Sequence, residues 1–287
     1  MDWLAFTVTP PPTKDVQWVA QALVTVFKVS PQPWKSHGRG WNGYSCRVDL
    51  NGAGLLAHGG DYQRGTVHVE LNASGCAQIA DWNAVRLWGE TYGVRITRID
   101  LAHDDFDGKT VNIDLAKAWY KAGGFNSSGR PPRAQLIDDF DSGEGKTLYI
   151  GRRENGKLLR IYEKGRQLGD VLSLWVRIEV ELHNQNRVIP WDAVTRPGHY
   201  LAGAYPALAF LNAEQERLRT TQRTAEITYD RMVEHLRMVG GKAINAMCQV
   251  HGEDKAAVVD QLRRDELPER LKDLPLSIGE LLGGWIP

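Results

Sequence analysis

The stretch Thr147–Gly169 reads TLYIGRRENGKLLRIYEKGRQLG, and a short loop later Trp175–His183 reads WVRIEVELH. Side chains on a strand alternate between its two faces. In the second run Val176, Ile178, Val180 and Leu182 point one way, while Arg177, Glu179, Glu181 and His183 point the other. In the first, Arg160, Tyr162 and Lys164 share one face, and the turn Glu154-Asn155-Gly156 joins Thr147–Arg152 to Leu158–Lys164 as a hairpin. Two upstream runs repeat the pattern. In VHVELN, Val67, Val69 and Leu71 oppose His68, Glu70 and Asn72; in ITRIDLA, Thr97, Ile99 and Leu101 oppose Arg98 and Asp100. Strands that are apolar on one face and ionisable on the other predict an antiparallel sheet, packed on one side and open on the other.

The rest of the chain frames that sheet. Asp2–Val8 reads as a first strand, closed by Pro10–Pro12, and Asp15–Phe27 as a helix. Tyr44–Leu50 and Gly54–His58 read as strands around an Asn51-Gly52 hairpin signal. Ser74 is placed to cap one helix running to about Tyr92, Asn112–Ala122 reads as another, and Asn126–Arg133 as a loop. After Pro190 the periodicity becomes helical: Glu214–Leu236, Lys242–Val250 and Asp254–Arg264, with a break at Gly240-Gly241 that suggests a helix-turn-helix or a plain helical support. No sequence repeat is evident. The expected class is α+β: a mainly antiparallel sheet with helices on one face, as residues 1–211, then a helical C-terminal segment, residues 212–287.

Bulk properties narrow the function classes. The 287 residues are 42% hydrophobic and 24% charged, ordinary values for a packed chain. No apolar run spans a bilayer, the N-terminus lacks the basic start of a signal peptide, and three scattered cysteines suit reduced thiols, so a cytoplasmic location is expected. Lys plus Arg and Asp plus Glu both number 35, which taken alone counts against nucleic-acid binding. The balance is local, however: Gly143–Gly169 holds seven basic residues against three acidic ones.

The open face carries the chemistry. A solvated sheet surface is the ordinary outcome of such alternation, but it usually favours Lys, Thr, Ser and Gln. Here Asp, paired Glu, Tyr, Arg, Lys and His stand at strand centres. Carboxylates from two strands, with a histidine, suit a hard divalent cation that polarises a phosphodiester. A tyrosine on the same face suits a nucleophile, provided a neighbour activates its phenol. Tyr149, on the adjoining strand, rivals Tyr162 in this role. Trp82, Trp88 and Trp119 read as core, whereas Trp34 and Trp41 are placed to stack on unpaired bases.

TLYIGRRENGKLLRIYEKGRQLG with WVRIEVEL resembles the signature of the replication initiation factor family, which includes initiators of filamentous phages and of small rolling-circle plasmids. ITRIDLAHDDFDG is similar to the family's acidic strand, and VIPWDAV with GHYLAGAYPAL to a segment of its phage branch. The resemblance implies a rolling-circle initiator: a metal-dependent nicking and closing enzyme that leaves a 5′-phosphotyrosine and a free 3′-OH primer. It maps the nucleophile onto Tyr162, assisted by Lys164 and Arg160. It maps a Mg²⁺ or Mn²⁺ site onto Asp100, Glu179 and Glu181, with Glu70 and His68 as further candidates, because no pair of histidines flanking one apolar residue is present. Arg152, Arg153, Lys157, Arg98 and Arg177 are the expected DNA contacts. The implied partners are single-stranded or hairpin origin DNA, a host helicase and a host polymerase, with a homodimer admissible. Two other readings stay open: an origin-binding regulator of the same fold without nicking activity, and an unrelated phosphodiesterase that uses water.

Overall fold

In a computed structural model, residues 1–31, 33–126, 129–185, 187–212, 226–252 and 254–265 are described. The chain divides into two compact units, Met1–Thr220 and Thr221–Pro287. The first unit is built on ten strands: β1 Trp3–Val8, β2 Lys35–His37, β3 Cys46–Asp49, β4 Gly54–His58, β5 Val67–Asn72, β6 Arg95–Asp105, β7 Ala134–Ile137, β8 Thr147–Arg152, β9 Lys157–Glu163 and β10 Val176–His183. They form one sheet in the order β2-β3-β4-β5-β1-β6-β10-β9-β8-β7, and every neighbouring pair is antiparallel. The expected α+β class is therefore the observed one.

Alternation places the core. Leu4, Phe6, Val69, Leu71, Ile99, Leu101, Val180, Leu159 and Ile161 lie in one apolar cluster with residues of the helices α1 Val16–Thr25, α3 Trp82–Thr91, α4 Ile113–Lys121 and α6 Pro197–Ala202. Each fully buried Leu or Phe contributes roughly 1.5–3 kcal/mol. Phe6 stacks on Phe27 at 5.3 Å and meets Trp88 edge-on at 5.8 Å. Trp191 packs so closely on α3 that a Cβ at Gly89 would lie 2.1 Å from its ring; glycine is required there.

Some elements depart from the reading of the sequence. The single helix expected from Ser74 to Tyr92 is two, α2 Ala73–Gln78 and α3. Asn72, not Ser74, caps the first by accepting from Gly75 N, and Asp81 starts the second by accepting from Asn83 N and Ala84 N. Two good N-caps in one stretch make two helices. β2 and β7 are short edge strands without apolar alternation, which leaves no periodic signal. In the second unit, α7 Glu226–Val250 runs through Gly240-Gly241 without a break. Glycine lowers helix propensity by about 1 kcal/mol but does not forbid the helix, so the expected break there is absent. Residues 214–225 of the expected Glu214–Leu236 helix lie outside the described residues. A second helix, α8 Lys255–Leu262, is capped by Asp254.

The topology contains a duplication that the sequence does not announce. β1-α1-β2-β3-β4-β5 forms the strand order 2-3-4-5-1, and β6-α4-β7-β8-β9-β10 forms 7-8-9-10-6, with β1 and β6 adjacent at the centre. The registers correspond. Glu70 on β5 stands opposite Ala5 on β1 and Leu55 on β4; Glu181 on β10 stands opposite Asp100 on β6 and Leu158 on β9. Glu70 is thus the counterpart of Glu181, Ala5 of Asp100, and Ala57 of Arg160.

Candidate active site

The open face of the central strands is a lattice of carboxylates and guanidiniums. Cross-strand pairing sets Asp100 beside Glu181, Ala102 beside Glu179, Glu179 beside Arg160, and Arg160 beside Tyr149. Ala102 and, on β1, Ala5 are small, so the longer side chains beside them have room to meet. Asp100, Glu179 and Glu181 are buried at 2%, 4% and 0% exposure, which requires each to be paired.

Arginines supply the pairing. Arg98 grips Asp100 with two hydrogen bonds, Nε to Oδ1 at 2.9 Å and Nη2 to Oδ2 at 2.6 Å, and its Nη2 lies 3.3 Å from Glu181 Oε2. Arg160 ion-pairs with Glu179 and lies 3.9 Å from Asp100. Glu181 Oε1 accepts from Arg153 Nε at 2.7 Å and meets His183 Nε2 at 2.5 Å. Burial and the nearby charges of Glu181 and Glu179 push the Asp100 carboxyl up to about 6, against its bond to Arg98. Glu181 moves the other way: burial opposes ionisation, but His183, Arg153 and Arg98 prevail and hold it at about 2.

Tyr162 sits in this lattice. Its ring is buried, and its hydroxyl donates to Glu179 Oε2 at 3.1 Å. Burial first, and then the negative charge of Glu179, raise the phenol above its ordinary range, so the hydroxyl is protonated with a carboxylate waiting on its proton. Nucleophile and base within hydrogen-bond reach is the arrangement that activates a hydroxyl. Lys164 is not on β9, as the alternation suggested, but starts the short helix α5 Lys164–Gln167; its Nζ donates to Gln167 Oε1 and lies 5.6 Å from the centroid of the Tyr162 ring. Tyr149 shares the face opposite Arg160, yet among the described residues no carboxylate accepts its hydroxyl.

The expected metal candidates fall into two groups. Asp100, Glu179 and Glu181 come together; His68 and Glu70 form a separate pair on β5, His68 Nε2 lying 3.1 Å from Glu70 Oε1, which also accepts from Trp41 Nε1. Among the described residues, no three carboxylate, imidazole or thiolate groups converge as a ready-made cage. The donor chemistry still suits a hard cation. Mg²⁺ commonly takes one or two carboxylates and completes its shell with substrate phosphate. Asp100 and Glu181 are such a pair, Glu181 Oε2 is buried without a hydrogen bond among the described residues, and the positive charge now between them is the Arg98 guanidinium.

The expected DNA contacts also separate. Arg152 is exposed, and the Arg153 side chain is 55% exposed although tied to Glu181. Lys157 donates to Ala204 O and lies 3.8 Å over the Tyr205 ring. Arg177 is bidentate to Asp104, at 2.7 and 2.8 Å, and also binds Asp2. Arg98 belongs to the carboxylate lattice. Trp82, Trp88 and Trp119 pack on the core as expected. Trp34 does too, its Nε1 donating to Ser30 O, so it is not poised for a base. Sequence reasoning passed over His183, Trp3 and Arg47 as functional residues. Only the strict alternation of β10 marked His183.

Fold and site together define an α+β protein whose one-sided antiparallel sheet carries a buried tyrosine–carboxylate–guanidinium cluster. Residues 94–262, more than half of the chain, match the family model described as replication initiation factor, and the chain belongs to that family. Among curated proteins, none matches. A solved rolling circle replication initiator protein from Geobacillus stearothermophilus shares the fold, with a TM-score of 0.55 at 23% identity over 78% of this chain and 88% of that one. The family carries the coarse function, initiation of replication, and with it origin DNA as partner. No helix among the described residues is long and apolar enough to cross a membrane.

Proposed function

We propose that the protein starts rolling-circle replication by nicking and later rejoining origin DNA through Tyr162. The hydrogen bond from Tyr162 to Glu179, with Arg160 fixing that carboxylate, carries the proposal. Glu179 takes the phenolic proton as the Tyr162 oxygen attacks phosphorus. The bond from phosphorus to the 3′-oxygen breaks. The 5′-phosphate stays on Tyr162, and the 3′-oxygen leaves as a hydroxyl with a proton from Lys164. The reverse sequence rejoins the strand, because a phenol leaves as well as it attacks, whereas water would discard the energy of the linkage. A Mg²⁺ or Mn²⁺ ion held by Asp100 and Glu181 would neutralise phosphate charge and stabilise the transition state. Arg152 and Arg153 contact the phosphate backbone. Residues 1–211 form the nicking domain, followed by a helical C-terminal segment, and a host helicase and polymerase follow the nick.

Adduct mapping tests this. The full chain, mixed with a single-stranded origin oligonucleotide and Mn²⁺, should yield a covalent adduct whose labelled peptide contains Tyr162. Tyr162→Phe should bind the oligonucleotide and form no adduct, while Tyr149→Phe should still form one. An adduct on Tyr149, or release of a nicked strand without any adduct, overturns the proposal; the latter outcome favours water as nucleophile.

A further inference from the structure

The first half of the sheet holds a pocket lined by Ala5, His68 and Glu70, the counterparts of Asp100, Glu179 and Glu181. Its volume is about 700 Å³, and it opens on the ionisable face, a size usual for small-molecule sites. Ala5, at the position of Asp100, lines it, as does Glu70, the counterpart of Glu181. Gly59, two residues beyond Ala57 as Tyr162 is two beyond Arg160, lies past the end of β4 and outside the pocket lining. Ala5 leaves space in the pocket where Asp100 stands in the other half.

Its walls are planar and its floor is polar. Arg47 lies over the Trp41 ring at 5.2 Å, and Arg98 over the Trp3 ring at 4.6 Å. Stacked indole and guanidinium planes suit a flat heteroaromatic ligand. Glu70 is an acceptor on the pocket wall, and Trp3 Nε1 and Arg47 Nε are buried without hydrogen bonds among the described residues. Donors and acceptors around a flat slot match the edge of a nucleobase. The pocket also adjoins the nicking centre: Arg98 and His183 line it, and both bind Glu181.

We propose that this pocket takes one unstacked base of the strand that Tyr162 cuts, and so sets which phosphodiester reaches the tyrosine. The inference rests on the nicking reading, but its test is separable. The full chain carrying Tyr162→Phe is titrated with single-stranded origin oligonucleotides that each lack one base, position by position, at fixed salt. One position should lose about tenfold in affinity, the scale of a lost base–aromatic stack. Trp41→Ala should lose a similar factor on the intact oligonucleotide and stop discriminating at that position, with the salt slope unchanged. Trp41→Phe keeps a stacking ring and should keep the discrimination, which separates loss of the stack from misfolding. Equal small penalties at every position overturn the proposal, as does a single-position penalty that survives Trp41→Ala. A base-specific penalty with no adduct from the wild-type chain keeps the pocket and sinks the nicking reading instead.

Discussion

Glu179→Gln separates proton transfer from every other role of the site. The carboxamide keeps the shape and an oxygen for the Tyr162 hydroxyl, 3.1 Å away in the parent, but it has almost no proton affinity. A positioned general base contributes about 10²–10⁴ in rate, so single-turnover adduct formation should slow by about that factor. The structural cost is modest. Glu179 is buried and paired with Arg160, but Arg160 still has Asp100 at 3.9 Å. Losing a charged hydrogen bond costs about 1–3 kcal/mol, or roughly 2–10 °C in Tm for a unit of this size, so the assay belongs well below the transition. With protein in excess over a single-stranded origin oligonucleotide, adduct is resolved on a denaturing gel and saturation is checked by anisotropy. Removing the Glu179 charge also lowers the phenol, though burial, the larger cause, still holds it above its ordinary range, so the variant's rate should climb as pH rises toward 9 and the ionised fraction grows. A variant within about threefold of the parent refutes the base assignment. Recovery with excess Mn²⁺ but not with pH would make Glu179 a metal ligand rather than a base.

Other outcomes follow from the same geometry. Adduct formation should stop in EDTA and return with Mn²⁺ or Mg²⁺; full activity in chelator removes the metal from the scheme. Arg152→Ala should lower the log–log salt slope of single-strand binding by about 0.7, the share of one phosphate contact, whereas Lys157→Ala should leave it unchanged because its ammonium is committed to Ala204 and Tyr205; equal slopes for Arg152→Ala and the parent would remove Arg152 from the backbone. Burial raises the folded Asp100 carboxyl to about 6 from 3.8, so stability falls as pH climbs from about 3.8 to about 6 and levels off above that. The Tm of Asp100→Asn relative to the parent should therefore shift in the variant's favour between about pH 4 and pH 6 and stay level above that; a pH-independent difference contradicts the assignment.

The sheet and its polar face were legible because period-2 alternation survives in β5, β6, β9 and β10, where one side is packed and the other bears charge. Tyr162, Asp100, Glu179 and Glu181 could be placed on a common face for that reason. Their pairing could not. Which arginine meets which carboxylate depends on register between strands far apart in sequence, so Arg98 and Arg177 read as DNA contacts although both are bound to carboxylates within the protein. The duplication was hidden for a related cause. Ala5 and Ala57 keep the backbone pattern of Asp100 and Arg160 but none of their chemistry, and only hydrogen-bond register relates them. Likewise β2 and β7 carry no periodicity, because an edge strand with exposed side chains packs against nothing.

Gly59 has φ +76°, and a Cβ there would meet Ser45 Oγ at 2.4 Å. The left-handed backbone excludes a tyrosine from that position as firmly as the missing side chain does. Restoring a phenol to the first half would therefore require the end of β4 to be rebuilt, not merely one residue exchanged. The two halves of the sheet cannot trade roles by point substitution, and the asymmetry between them is fixed in the main chain.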